Sequence, residues 1–281
     1  MNDDVARYCS DQVRRFDHDR YLCTLFIPGQ ARPHVLALHA FNVEVARVHE
    51  LVREPMMGLI RLQWWREVVE GAREGVTREH PVALGLAEAV RAGGLPLEPF
   101  ERLLVARESD FQEESPQDLA ALEGYAEATS STLVELVLAV LGLNAGGARE
   151  AGRHIGIAWA LTGLLRAVPI HASRRRSFLP RDLVERVGLD VESVFAGRPG
   201  SGLREVVEQI AARAREHLDA ARALRREMPN EAVPALLQAV LADRYLDRLE
   251  AAGFAPFDAS VQASPGDRAL RLLWAALRRR Y

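Results

Sequence analysis

Apolar residues recur with a helical period along almost the whole chain, and no segment alternates in the way that a half-buried β-strand does. From residue 32 to residue 52, for example, the valines, leucines and phenylalanine keep a spacing of about 3.6 residues. No internal repeat or long flexible linker separates such segments. The sequence therefore predicts an all-α protein of roughly ten helices, folded as one domain over residues 1–281.

Some segments give sharper expectations than others. Residues 125–143 and 149–168 are the most apolar and are predicted to be central helices, because a helix that is apolar all round is buried on all sides. Residues 115–118 combine a capping serine, a proline and an early carboxylate, which predicts the start of a helix. The polar and basic stretch over residues 169–180 is predicted to be a loop.

All 36 basic residues are arginine, because the sequence contains no lysine. Mechanisms that need a lysine, such as a Schiff base or the lysine of a Walker-type phosphate loop, are thereby excluded. The same bias is typical of GC-rich codon usage and indicates a bacterial source. The formal net charge is −3, so the chain lacks the basic excess of a nucleic-acid-binding surface.

Two cysteines, Cys9 and Cys23, are too few for a disulfide framework or a four-thiolate zinc site, which favours a reducing compartment. The acidic N-terminus lacks the apolar stretch of a signal peptide. No apolar run approaches the roughly 18 residues that span a bilayer. We therefore expect a cytoplasmic protein with at most peripheral contact with an inner membrane.

The first segment with clustered ionisable residues lies near residue 47. Glu44, Arg47, His49 and Glu50 fall within two helical turns, where residues three or four apart share one face. An exposed, ion-paired stripe is the competing interpretation. The histidines at 39, 49, 154 and 171 show no metal-site spacing, so we interpret them as structural.

The second segment is a predicted buried helix that runs into three consecutive arginines, Arg174, Arg175 and Arg176. Guanidinium groups bind phosphate or carboxylate through forked hydrogen bonds, so the cluster suggests an anion site. A solvated loop cluster is the competing interpretation. The common nucleotide, zinc and hydrolase motifs are absent from the sequence.

Several short stretches, in matching order and spacing, resemble the squalene/phytoene synthase family along nearly the whole chain. These stretches are Leu38-His39-Ala40-Phe41, Gln63-Trp64-Trp65-Arg66-Glu67, His80-Pro81-Val82-Ala83, Ile155-Gly156-Ile157-Ala158-Trp159-Ala160-Leu161-Thr162, Leu165-Arg166, Arg174-Arg175-Arg176 and Phe178-Leu179-Pro180. The resemblance implies the isoprenoid-synthase fold, a helical bundle around a deep apolar cavity. It also implies two aspartate-rich motifs that bind Mg²⁺ and prenyl diphosphate from opposite sides of that cavity.

The positions that correspond to those aspartate-rich motifs have mostly lost their carboxylates. The first motif falls on Ala46, Arg47 and Glu50, and the second on Arg166, Ala167, Ile170 and His171. The family resemblance also implies an arginine close to the first motif, and this chain has Val43 at that position. Since Mg²⁺ prefers oxygen ligands, and carboxylates above all, the sequence predicts no metal, no cofactor and no catalytic residue at these positions.

The same departures resemble one branch of the family, which includes a mitochondrial respiratory complex I assembly factor and its bacterial relatives. This resemblance rests on Ala40-Phe41-Asn42-Val43-Glu44, on residues 58–65, on residues 165–171 with Ser173-Arg174-Arg175, and on Val233-Pro234-Ala235-Leu236-Leu237. It implies a non-catalytic protein that helps to assemble respiratory complex I. Its partners would be complex I subunits or an isoprenoid lipid.

Two other functions stay open. The first is a Mg²⁺-dependent head-to-head prenyltransferase that makes phytoene, squalene or a related product. The second is a module that keeps an isoprenoid in the cavity without reacting it. In the non-catalytic interpretation, Arg166, Arg174, Arg175 and Arg176 are the candidate groups for binding an anion or an acidic partner.

Overall fold

The structure is a computed structural model that describes residues 1–112 and 114–281. Within these ranges the chain forms eighteen α-helices with short 3₁₀ and π turns and no β-strand, so the predicted all-α class is confirmed. In chain order the helices are α1 (Asp3–Phe16), α2 (His18–Thr24), α3 (Arg32–Ala46), α4 (Val48–Leu51), α5 (Pro55–Glu74), α6 (Pro81–Gly93), α7 (Glu98–Glu108), α8 (Leu119–Ala126), α9 (Thr132–Val140), α10 (Gly146–Arg166), α11 (Val168–Ser173), α12 (Arg181–Arg186), α13 (Val191–Phe195), α14 (Gly202–Ala223), α15 (Val233–Leu236), α16 (Gln238–Ala251), α17 (Ala259–Gln262) and α18 (Arg268–Leu277).

Helix α10 lies at the centre of the bundle, where it packs against α9, α14 and α16. Its apolar side chains are buried around most of its circumference, as the sequence predicts. It also approaches the π turn Glu127–Ser131 closely, because Gly156 has no side chain. A Cβ added at Gly156 would lie 2.4 Å from the Cα of Ser131. The glycine thus allows α10 and this turn to pack backbone against backbone.

The helix expected over residues 125–143 contains the π turn Glu127–Ser131 and ends at Val140, and two other long predicted helices are also interrupted. The helix expected over residues 32–52 ends at Ala46 and resumes as α4 after Arg47. The helix expected over residues 149–168 ends at Arg166 and resumes as α11 after Ala167. Each of these last two breaks falls inside one of the two motif segments, so they decide where the candidate site residues point.

Two local expectations are wrong. Residues 169–180 are not loop throughout, because Val168–Ser173 form α11, with Pro169 in its first turn, where a missing N–H costs little. The helix expected to start at residue 115 begins instead at Leu119. The side chain of Asp118, and not that of Ser115, caps it by accepting a 2.8 Å hydrogen bond from the Ala121 N–H.

None of the helices in the described ranges is both long enough and apolar enough to cross a membrane.

Candidate functional site

The first motif segment lies where α3 gives way to α4. The Glu50 N–H bonds to the carbonyl of Arg47 at 3.0 Å, so the turn is tighter than an α-helix. The carbonyl of Ala46 instead lies 3.1 Å from Nδ1 of His49. Because a carbonyl oxygen only accepts, Nδ1 of His49 carries the proton. The histidine side chain thus replaces a backbone donor at the helix break.

Glu50, the one carboxylate retained in the first motif, is held by two arginines. Its Oε1 accepts a 2.5 Å hydrogen bond from Arg174, and its Oε2 lies 3.9 Å from Nε of Arg47. The Arg47 guanidinium in turn covers the ring of Phe16, with 3.8 Å between the guanidinium carbon and the ring centroid. Ala46 adds no charge. Arginines therefore neutralise the one carboxylate of this segment, at the place where the family resemblance implies metal ligands.

The second motif segment lies where α10 gives way to α11. The Arg166 guanidinium stacks on the ring of Tyr245 at 3.5 Å and lies 3.8 Å from Asp19. Ala167 is half-buried and Ile170 is exposed. His171 packs its ring against Phe178, with 4.8 Å between the ring centroids. None of these four motif positions provides a carboxylate.

A buried carboxylate, Asp110, lies close to both motif segments. Its side chain is only 3% exposed and accepts hydrogen bonds from Arg107 at 3.2 Å, Arg176 at 3.1 Å and the hydroxyl of Tyr125 at 2.8 Å. Burial opposes ionisation, but Arg107, Arg176 and the Tyr125 hydroxyl outweigh it and hold the pKa of Asp110 below its usual value. Asp110 is thus a charged anchor inside the protein.

Two imidazoles face this anchor and are neutral at physiological pH. Burial, and then the charge of Arg176, lower the pKa of His171 from 6.5 to about 4. Burial lowers the pKa of His49 as well, and Arg176 adds to the effect while Asp110 opposes it. The structural interpretation of these histidines fits their surroundings, where packing and a backbone carbonyl occupy them.

The three consecutive arginines diverge rather than form one cluster. Arg174 bonds to Glu50, and Arg176 bonds to the buried Asp110. Arg175, at a left-handed φ of 55°, bonds to Glu192 at 2.8 Å on the surface. Each guanidinium already has a carboxylate of this chain as partner. An external anion would compete with Glu50 or Glu192 for the two more exposed ones.

A second buried polar cluster lies around Asp19 of α2. Its carboxylate accepts 2.5 Å hydrogen bonds from Arg268 and from the hydroxyl of Tyr245, and Arg166 lies 3.8 Å away. Burial, and then the neighbouring Asp19, raise the pKa of Tyr245 to about 12. Arg166, a predicted anion-binding residue, is therefore part of an internal ion-pair cluster.

The cavities beside these clusters are small. One, bounded by His171, Arg176 and Phe178, has a volume of ≈ 20 Å³. Another, among Arg20 and His39, also has a volume of ≈ 20 Å³. Each has room for about one water molecule, whereas small-molecule pockets usually measure about 300 Å³ or more. A prenyl chain would enter either cavity only if helices moved apart.

The residues at the two motifs do not fit the Mg²⁺ that the family resemblance implies. Magnesium needs near-octahedral oxygen ligands, and Ala46, Ala167 and Ile170 offer none. Over residues 1–112 and 114–281, no group of three or more histidine, cysteine, aspartate or glutamate side chains is placed to hold a metal ion. Arg47 and Arg174 add positive charge beside Glu50, which opposes a cation there.

Sequence reasoning missed the two residues around which the site is organised, Asp110 and Asp19. Both are single aspartates in otherwise ordinary segments, Ser109-Asp110-Phe111 and His18-Asp19-Arg20. Their partners are far away in the chain, for example Arg268 for Asp19. No local pattern marks such pairs, although a buried carboxylate always demands cationic or hydrogen-bonding partners.

Comparisons with known proteins agree with the fold described above. The sequence profile of the squalene/phytoene synthase family matches residues 13–274. The crystal structure of squalene synthase HpnC from Alicyclobacillus acidocaldarius has a TM-score of 0.79 at 22% identity and covers 90% of this chain and 95% of its own. At that identity, the structural likeness establishes the shared fold alone.

Two proteins that are similar in sequence to this chain have names that indicate different functions. NADH dehydrogenase (ubiquinone) complex I, assembly factor 6 of Bos taurus is 36% identical over 275 residues, which cover 98% of this chain and 83% of the relative. The presqualene diphosphate synthase of Rhodopseudomonas palustris is 26% identical over 261 residues, which cover 92% of each chain.

Proposed function

The chain belongs to the squalene/phytoene synthase family, and within it we propose a protein that does not transfer prenyl groups but binds subunits of respiratory complex I and assists their assembly. The observation that carries this proposal is the state of Glu50. It is the one carboxylate left at the metal-binding positions, and Arg174 bonds to it at 2.5 Å. A metal ion there would have to displace a guanidinium that already neutralises the charge.

The small size of the cavity at the second motif supports the same proposal. The cavity bounded by His171 of the second motif measures ≈ 20 Å³, and the buried carboxylates Asp110 and Asp19 each pair with arginines of this chain. Without carboxylates to bind Mg²⁺, the metal ion that would neutralise the charge on a departing diphosphate has no site. The likeness to complex I assembly factor 6, at 36% identity over almost the whole chain, supports the choice of complex I as partner.

The chemical half of the proposal is tested by titrating the purified chain with Mg²⁺ and a non-hydrolysable prenyl diphosphate. We expect calorimetry to show no analogue binding that depends on Mg²⁺, because first-shell ligands are missing at Ala46, Ala167 and Ile170. Incubation with Mg²⁺ and farnesyl or geranylgeranyl diphosphate should give no coupled product. Tight, Mg²⁺-dependent binding, or product, would overturn the non-catalytic function.

The proposed role in assembly is tested in cells of the source organism from which the gene for this chain is deleted. We expect less fully assembled complex I, seen as NADH-oxidising activity on native gels, and recovery when the wild-type chain is restored. A chain with Glu50→Gln should restore assembly equally, because Glu50 serves only a half-exposed ion pair. Unchanged complex I after deletion, or failure of the folded Glu50→Gln chain, would contradict the proposal.

The alternative function is Mg²⁺-dependent head-to-head prenyl transfer, and one observation favours it. A presqualene diphosphate synthase is 26% identical to this chain over 92% of each protein. Such an enzyme would need Glu50, since no other motif position retains a carboxylate. The Glu50→Gln chain therefore separates the two functions in a single experiment.

A further inference from the structure

The last helix, α18, turns an apolar face outward. Four side chains at helical spacing are exposed by 47% to 75%, and we call them the α18 apolar face. They are Leu270, Leu273, Trp274 and Leu277. Isolated exposed leucines are ordinary, but four on one stripe of a ten-residue helix form a contiguous patch.

The face belongs to a firmly attached helix. On the opposite side, Leu272 and Ala275 are buried against the core. Beyond the helix, the hydroxyl of the buried Tyr281 donates a 2.9 Å hydrogen bond to the Ala221 carbonyl, and Arg225 donates a 2.6 Å hydrogen bond to the Arg279 carbonyl. The exposed stripe is therefore presented by a fixed element of the fold.

Positive charge follows the apolar face directly. Arg278, Arg279 and Arg280, which we call the arginine cluster, are all exposed. Among the residues that the structure describes, no carboxylate side chain lies within ion-pair distance of any of the three. The Arg278 guanidinium stacks over the ring of Trp274 at 3.9 Å. From residue 268 to residue 281 the sequence contains five arginines and no acidic side chain.

The acidic residues beside α18 are already neutralised by arginines of this chain. Asp243 pairs with Arg222, Asp247 lies 3.0 Å from Arg215, and Asp267 lies 2.6 Å from Arg271. The arginine cluster therefore keeps its charge available, although the whole chain has a net charge of −3. An exposed apolar stripe next to available arginines matches the chemistry of a bilayer surface, where acyl chains lie beneath phosphates.

We propose that α18 docks the protein on the surface of a bilayer that contains anionic lipid. The α18 apolar face enters the boundary between headgroups and acyl chains, with Trp274 at the level where tryptophan is favoured. The arginine cluster binds the lipid phosphates with forked hydrogen bonds. This docking does not depend on whether the motif segments have lost catalysis.

The test uses the full chain and lipid vesicles in a co-sedimentation assay. We expect binding to vesicles of phosphatidylcholine mixed with phosphatidylglycerol, weaker binding at high salt, and little binding to pure phosphatidylcholine. Leu273→Ser with Leu277→Ser should weaken the partition coefficient by at least about tenfold, because two apolar side chains that enter the bilayer on binding are lost. Replacement of the arginine cluster by glutamine should weaken it by a similar factor, about tenfold or more.

The matched control lies on α5, where Met56 and Ile60 are also more than half exposed. Met56→Ser with Ile60→Ser removes as much exposed apolar surface elsewhere and should leave vesicle binding unchanged. Thermal melts should show that all variants remain folded. The proposal is overturned if anionic vesicles do not bind the wild-type chain at low salt, or if the α5 variant loses binding as the α18 variants do. A dimer in sedimentation velocity that Leu273→Ser and Leu277→Ser dissociate would assign the face to a second copy instead.

Discussion

The buried carboxylate of Asp110 stabilises the packing between the two motif segments. Its carboxylate bonds to Arg107, Arg176 and Tyr125, and its side chain is almost fully buried. Asp110→Asn would leave two guanidinium groups without their counter-charge, which costs about 3–5 kcal/mol for a buried pair. Urea unfolding at neutral pH should show that loss in the free energy of unfolding.

The control for this prediction is an exposed pair of the same chemistry. Glu192 and Arg175 are both more than half exposed, so Glu192→Gln should change the free energy of unfolding by less than about 1 kcal/mol. Equal effects of Asp110→Asn and Glu192→Gln would mean that Asp110 is not a structural anchor.

At the scale of single residues, the sequence identifies candidate charged side chains but does not predict what surrounds each of them. Arg174, Arg175 and Arg176 look equivalent in the sequence, and a shared anion site is a reasonable hypothesis. In the structure only Arg176 reaches a buried carboxylate, because α11 ends at Ser173 and the following turn directs the three side chains apart. Such divergence depends on tertiary neighbours that local patterns do not encode.

Histidine titration gives a second test of single residues. The pKa of His171 falls from 6.5 to about 4 on folding, so the unfolded chain binds its proton more readily than the folded chain does. Its neutral form therefore contributes stability above the unfolded pKa, and that stability is lost as pH falls from about 6.5 toward 4. His171→Leu should lose less stability than the wild type between pH 7 and pH 5, by about 1 kcal/mol per pH unit at most.

Urea unfolding at several pH values measures this difference. A His171→Leu chain with the same acid sensitivity as the wild type would contradict a buried, neutral His171.

Among the helices, the contact between α10 and the π turn Glu127–Ser131 is the most demanding. Gly156→Ala would place its Cβ 2.4 Å from the Cα of Ser131, and backbone cannot move aside cheaply. We expect it to destabilise the fold by about 1–3 kcal/mol, the usual cost of overpacking. Gly163 lies on the same helix with nothing within 4 Å of an added Cβ, so Gly163→Ala should stabilise by up to about 1 kcal/mol. Thermal or urea unfolding of the pair gives the comparison, and similar values for both would contradict close packing.

The apolar period predicts which segments are helical, but it does not predict where a helix is interrupted. Residues 32–52 keep one apolar period through the break at Arg47, because the period does not depend on whether one peptide turn tightens. The break is stabilised by His49, whose side chain bonds to the Ala46 carbonyl. At the second break, Pro169 does provide a local signal, since proline favours the first turn of a new helix. The prediction of a loop from Pro169 onward was wrong, because Pro169 lies in the first turn of α11.

At the scale of the whole molecule, the family fold is kept although most of the carboxylates that the family resemblance implies are missing. The family fold needs a central apolar helix with partners on all sides, and α10 still satisfies that requirement. The prenyl transfer that the family resemblance implies would need carboxylates on two helix ends that face each other across an open cavity. In this chain those ends carry Ala46 and Ala167, and buried arginine–aspartate pairs lie nearby. The core packing of the family fold is therefore intact, whereas under the proposed function the two motif segments no longer form a metal site.

Restoring the lost carboxylates should accordingly not restore prenyl transfer. The complete replacement is Ala46→Asp, Arg47→Asp, Glu50→Asp, Ala167→Asp, Ile170→Glu and His171→Asp. Ile170 is 51% exposed, so a glutamate there would face water rather than a substrate cavity. The cavity bounded by residue 171 measures only ≈ 20 Å³, and Val43 would still stand in place of an arginine. The groups that orient metal ligands would be missing as well, and these matter nearly as much as the ligands themselves.

We expect this six-fold variant to be less stable than the wild type without Mg²⁺, because crowded carboxylates repel one another and their pKa values rise. Added Mg²⁺ should recover part of that stability, since the ion binds only where carboxylates converge. Thermal melts with and without Mg²⁺ measure both effects, and chromatography after incubation with farnesyl or geranylgeranyl diphosphate measures product. The wild-type chain under the same conditions is the control. Robust product from the variant would show that the ligands alone had been lost and that the surrounding helices still open to admit a prenyl chain.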